Sequence, residues 1–179
     1  MRNLILIIFF CIFNSLCCFA QNQKGEVTIS IVASPYLTET NNEDDFGAIG
    51  LASVEFFLSN KVSLGGNFFT SSNTLLKNNS GTTIHSYGFI PSIQYYFVNK
   101  QKFNVFGQLG YGYGFEDLTR GNIQNSALTV FTAGPGAHYT IDEKLQIKLM
   151  LPYFSARNIT INRNASSGIG VFLGLSFKI

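Results

Sequence analysis

Apolar and polar side chains alternate along most of this chain. At the C-terminus Ile169, Val171, Leu173, Leu175, Phe177 and Ile179 occupy every second position, with Gly170, Phe172, Gly174, Ser176 and Lys178 between them. A period of two belongs to a β-strand, so this segment predicts a strand with one wholly apolar face. The same reading predicts eight strands, at about 26–37, 46–58, 61–71, 83–98, 102–116, 127–141, 144–156 and 167–179. Ser59-Asn60, Asn99-Lys100-Gln101 and Asp142-Glu143 form short polar turns, whereas TETNNEDD, SNTLLKNNSGT, DLTRGNIQNS and RNITINRNAS are longer connections. Short turns on one side and long loops on the other are the pattern of an up-and-down barrel crossing an outer membrane, with the short turns in the periplasm.

The two faces of these strands differ in chemistry. One face carries Val27, Ile29, Ile31 and Ala33, then Ala52, Val54, Phe56 and Leu58, then Phe89, Ile93, Tyr95 and Phe97. Later strands add Leu109, Tyr111, Tyr113, Leu145, Ile147, Leu149, Leu151, Leu173 and Leu175, and none of these residues is charged. The opposite face holds Ser30, Glu55, Gln94, Asn104, Gln108, His138, Gln146, Lys148 and Lys178, with Gly110, Gly112, Gly114, Gly174, Phe106 and Phe172 among them. Glu55 and Lys148 are too costly for a dry soluble core, so the apolar face is expected to meet lipid and the polar face to fill the interior. Each predicted strand reaches the roughly 9–11 tilted residues that span the hydrocarbon. Pro35, Pro91, Pro135 and Pro152 fall inside predicted strands and each removes a ladder donor; Pro91 and Pro135 are expected to mark bulges or kinks at one membrane depth.

Composition narrows the class. The chain has 179 residues, 12% charged and 46% hydrophobic, with a net charge of +2. That balance suits neither a disordered chain nor a nucleic-acid binder. Arg2, an apolar run from Leu4 to Phe13, and small residues at Cys18 and Ala20 make residues 1–20 an expected signal peptide, cleaved after Ala20. Residues 21–179 are then the barrel. Cys11, Cys17 and Cys18 would leave with the signal, so disulfides and thiolate chemistry are excluded from the mature chain.

Three hairpins repeat a theme: ASVEFFLSNKVSLGGNFF, PSIQYYFVNKQKFNVFGQLG and PGAHYTIDEKLQIKLML each run from a small or proline start to a turn containing lysine. The segments GLASVEFFLSNKVSLGG, FIPSIQYYFVNKQKFNVFGQLGYGYGF and GIGVFLGLSFKI resemble the outer-membrane protein beta-barrel domain family common in Bacteroidota-type bacteria. The resemblance implies an eight-stranded barrel inserted by the outer-membrane assembly machinery, with the last strand as the insertion signal. The chain ends on Ile179 rather than the usual phenylalanine, Phe177 lying two positions earlier. Most members have no assigned activity, so the resemblance carries no catalytic residues across.

The candidate chemistry is sparse. Gly110, Gly112 and Gly114 lack the spacing and following helix of a dinucleotide loop, and their expected role is to let rings pack over the backbone. A metal site from His85, His138 and Glu55, or a Ser-His-Glu hydrolase acting on lipid A, would need its members on one face at one height. His138 is expected inward, and His85 and Ser86 face opposite sides. Glu55, Gln94 and His138 take matching places in the three hairpins, with Lys148 on the strand after His138. They are expected to form a polar network that plugs a lumen just wide enough for side chains. Glu39, Glu43, Asp44 and Asp45 in the first long loop, and Arg157 and Arg163 in the last, are charges expected to be solvated.

The fold class is therefore all-β, an eight-stranded antiparallel up-and-down transmembrane β-barrel. The expected function is non-enzymatic, structural or interacting through four extracellular loops, in the cell outer membrane of a Gram-negative envelope. The alternatives are a lipid A-modifying barrel enzyme and a narrow, porin-like pore. No cofactor, metal or nucleic acid is expected. The expected partners are outer-membrane lipid and lipopolysaccharide, the assembly machinery during insertion, and an external partner of the loops, with the barrel itself a monomer.

Overall fold

The computed structural model describes residues 22–40, 43–75, 82–118, 126–160 and 162–179, without the side chains at 36–40, 43–46, 74–75, 82, 118 and 163. Alternation yields ten strand segments: β1 (Val27–Thr40), β2 (Glu43–Ser59), β3 (Val62–Leu75), β4 (Thr82–Asn99), β5 (Phe103–Leu118), β6 (Ser126–Thr140), β7 (Leu145–Met150), β8 (Tyr153–Asn158), β9 (Arg163–Ile169) and β10 (Phe172–Lys178). All pairings are antiparallel. β7 and β8 pair successively with β6 in one register, so they are a single barrel stave; β9 and β10 form another. β10 returns to β1, from Thr28↔Lys178 to Ala33↔Leu173, and closes an eight-stave barrel with no free edge.

Prolines explain where the ladder thins, and they correct the expectation of bulges. The β4–β5 ladder skips Ile90 and Pro91 and resumes at Ser92↔Gly110 in the register it held at Phe89↔Tyr113. Proline has no donor for its neighbour, but nothing is inserted, so the strand keeps its phase. Pro135 keeps register as well. Its carbonyl accepts the Leu151 N–H at 2.9 Å, and the Pro152 carbonyl accepts the Gly170 N–H at 3.1 Å. Neither proline can return a bond, and the gaps between β7 and β8 and between β9 and β10 fall beside them. True register shifts lie elsewhere, between Phe57 and Ser59, Tyr96 and Val98, and Ala156 and Arg157.

The strands also run further than expected. β1 and β2 pair out to Thr40↔Glu43, so six of the eight residues predicted for the first connection lie in the ladder. β8 reaches Asn158 and β9 begins at Arg163, shortening the last connection likewise. Polar residues there read as loop in the sequence, yet a strand wet on both faces needs no apolar alternation to keep its hydrogen bonds. β1 to β6 are 14 to 18 residues long, more than the hydrocarbon requires.

The outward face is a belt of large apolar side chains, among them Ile31 at 67%, Phe68 at 61%, Tyr113 at 64% and Leu173 at 60% exposure. Inside, the expectation of a hydrophilic filling needs correction. Val32, Ile49, Leu51, Phe69, Ile90, Leu128, Val130, Met150, Phe154 and Phe172 form one buried cluster in the lumen. Eight staves leave no room for a water column, so apolar groups that need no partners pack across it. Glycines admit the rings: a Cβ on Gly136 would collide with Phe106, and one on Gly114 or Gly88 with Phe69.

Candidate functional site in the barrel lumen

The short-turn hairpins set the height of the polar side chains. Ser59 Oγ accepts the Val62 N–H at 3.1 Å in the β2–β3 turn, and Asp142 Oδ1 accepts the Lys144 and Leu145 N–H groups at 2.8 and 2.7 Å in the β6–β7 turn. Such side-chain brackets fix the register of each hairpin, and register decides which residues face inward. Glu55 on β2, Gln94 and Tyr96 on β4, Gln108 and Asn104 on β5, His138 on β6, and Gln146 and Lys148 on β7 all point into the lumen and are buried.

Lys148 Nζ forms an ion pair with Glu55 Oε1, both side chains wholly removed from solvent. The remaining lone pairs of the carboxylate are met by Tyr96, whose hydroxyl lies 3.1 Å from Glu55 Oε2 and 3.3 Å from Gln94 Oε1. Gln94 Nε2 donates to Gln108 Oε1 at 3.4 Å. On the other side Lys148 Nζ reaches Ser30 Oγ at 3.5 Å, and Ser30 accepts from Ser176 at 2.8 Å across the closing seam. The aliphatic and aromatic wall of this layer is Phe57, Tyr96 and Phe106, with ring centroids 5.2 and 5.3 Å apart and Lys148 Nζ 5.4 Å above the Phe106 ring.

Three of the four sequence-singled residues, Glu55, Gln94 and Lys148, thus join one hydrogen-bonded group. His138 stands beside it, 5.0 Å from Phe106 and 6.1 Å from Tyr96 by ring centroid, with neither ring nitrogen bonded to a described residue. Tyr96 was missed by the sequence reading. Its signal was its parity with Gln94, hidden within the run Tyr95-Tyr96-Phe97.

The mouth on this side is crossed by the N-terminal segment. Asn22 exchanges backbone bonds with the Asn99 side chain at the end of β4, 3.1 and 3.2 Å, and the Gly25 N–H reaches the Phe57 carbonyl at 2.8 Å. Glu26 pairs with Lys178 at 3.0 Å. At the other end of the lumen Asn158 Nδ2 donates to Glu116 Oε2 at 2.8 Å.

The other candidates lie apart. His85 is exposed on the outer wall and Ser86 is buried, facing opposite sides, and His138 is inside. No group of three His, Cys, Asp or Glu among the described residues is placed to hold a metal ion. The side chains of Glu39, Glu43, Asp44, Asp45 and Arg163 are outside the described residues; Arg157 is exposed and donates to Asn162.

The barrel fold is shared with small outer-membrane barrels. The crystal structure of Ail, the attachment invasion locus protein of Yersinia pestis, in complex with the heparin analogue sucrose octasulfate, matches at a TM-score of 0.61 and 14% identity over 88% of this chain and 100% of that one. The N-terminal β-barrel domain of Pseudomonas aeruginosa OprF matches at 0.57 and 14% identity, over 88% and 100%. Neisserial surface protein A matches at 0.58 and 12% identity, over 87% and 99%. No protein-family model and no curated protein matches the chain. At these identities the likeness establishes the fold alone.

Proposed function

We propose that this chain is an integral outer-membrane barrel, exported by a signal peptide at residues 1–20, with a sealed lumen and no catalytic centre. It supports the membrane and meets an external partner through its four outer connections, as a monomer surrounded by lipopolysaccharide and lipid. The observation that carries this reading is the pairing of an uncharged, exposed aromatic and aliphatic belt with a lumen packed across by the apolar cluster and the Glu55–Lys148 layer. A belt of that kind suits acyl chains, and closure of the sheet through β1 and β10 gives each stave a neighbour on both sides. The plug argues against a pore. Purified protein in planar bilayers is expected to pass no steady ionic current, and after membrane fractionation the unheated protein is expected to run on gels ahead of the boiled form. Ohmic single-channel steps would overturn the sealed lumen.

A second reading, a lipid-modifying enzyme, has one observation in its favour. Ser72 on β3, His85 on β4 and Asp117 on β5 are successive register partners on the outer wall. No hydrogen bond joins these three described side chains. Mass spectrometry of lipid A from cells overproducing the protein and its Ser72→Ala variant separates the readings; identical lipid A in both is the expected outcome.

A further inference from the structure

Three neighbouring staves carry polar atoms that the network does not use. Asn104 on β5 is the register partner of His138 on β6, and His138 is the partner of Lys148 on β7; Gln146 lies two positions before Lys148 on the same face. Direct cross-strand partners have Cβ atoms about 4.5–5.5 Å apart, so these side chains form one patch on the lumen wall. Asn104 and Gln146 are 0% exposed and His138 is 1% exposed. Both amide atoms of Asn104, both ring nitrogens of His138 and Oε1 of Gln146 have no hydrogen-bond partner among the described residues. Gln146 Nε2 is held by Thr140 Oγ1 at 3.1 Å, which fixes the direction in which its free oxygen points.

We propose that this patch is an internal water-binding site, with Asn104, His138 and Gln146 as its ligands. Buried polar atoms in folded proteins are almost always bonded, and ordered water completes those that side chains leave open. The unpartnered set mixes donors and acceptors: an amide N–H pair, two carbonyl-type oxygens, and an imidazole that in its neutral form offers one of each. Water, with two donors and two acceptors, matches that mixture. An ion does not, because the layer already balances its charge: Lys148 faces Glu55, and a further cation would meet Lys148 while a further anion would meet Glu55. The three ligands are buried and His138 packs against the Phe106 and Tyr96 rings, so water held there exchanges slowly with bulk.

The test uses the full barrel in micelles or bicelles. Water-to-protein cross-relaxation is measured on the ring protons of His138 and the amide protons of Asn104, and a crystal structure of the same protein is examined for ordered oxygen density at 2.7–3.2 Å from at least two of the three ligands. Peaks and density at that place support the site. His138→Phe in a barrel that still migrates faster unheated than boiled is expected to lose the density beside Asn104. Direct bonds among Asn104, His138 and Gln146 with no intervening density, or absence of water cross-relaxation at His138 in the unmodified protein, would overturn it.

Discussion

Lys148 lies in the lumen with Glu55 as its counter-charge, and the consequence of separating them is asymmetric. Breaking a buried pair by removing one partner costs about 3–5 kcal/mol, because the survivor keeps its desolvation without its attraction. Lys148→Met is therefore expected to lower barrel stability by that amount in urea unfolding, and adding Glu55→Gln is expected to recover most of the loss. A double variant no better than the single one would mean that the pair is not what the single substitution removes. Outside the membrane, Asp142 responds to pH. The backbone N–H groups of Leu145 and Lys144 hold its carboxyl below the ordinary aspartate value. A depressed folded pKa means that its contribution to the turn is present above the unfolded value of ~3.9 and lost as pH falls through the lower folded one. The amide shifts of Lys144 and Leu145 are expected to titrate together with a midpoint below that of an unfolded aspartate. At this scale the sequence revealed which way Glu55, Gln94 and Lys148 face, since parity along a strand is local. Which atoms they touch depends on staves far apart in the chain, and Tyr96 was invisible because its two neighbours are aromatic as well.

Among the elements, β4 offers a direct test of ladder continuity. Pro91→Val supplies the missing donor toward β5 on an exposed, outward position, and a net gain of about 0.5 kcal/mol or less is expected, the usual worth of one hydrogen bond (about 1 kcal/mol) less the entropy that proline withholds from the unfolded chain (about 0.4–1 kcal/mol). Unfolding midpoints of the two proteins decide it; a loss would mean that the entropy proline withholds outweighs the added bond. The belt is tested by Leu149→Arg on β7, expected to cost about 2–4 kcal/mol near mid-membrane, against Asp117→Arg at the outer end of β5, expected near zero. An arginine at inward-facing Gln146 would not be a mild control, because Gln146 is wholly buried beside Lys148. The eight staves were readable from alternation, including the two that prolines interrupt. Their outer ends were not: in Thr38–Thr40 and Glu43–Asp45 both faces are polar, so the pattern vanishes while the backbone ladder continues to Thr40↔Glu43.

For the whole molecule, a barrel was expected from alternation and from short turns opposite long connections, and the structure closes it through β1 and β10. The lumen's apolar cluster was harder to see. In pairs such as Phe68-Phe69 both faces carry an aromatic ring, and only the closed geometry says that Phe69 turns inward to meet Phe154, 5.6 Å away. The closing seam has its own implication for how the barrel is made. Ser30 and Ser176, bonded across it, are 146 positions apart, so the first stave must wait, unpaired on one side, until nearly the entire polypeptide is in place. A contact of that span is slow to find. Any nascent intermediate therefore presents a raw strand border, and whatever shelters that border until the last stave docks governs the yield of finished barrels.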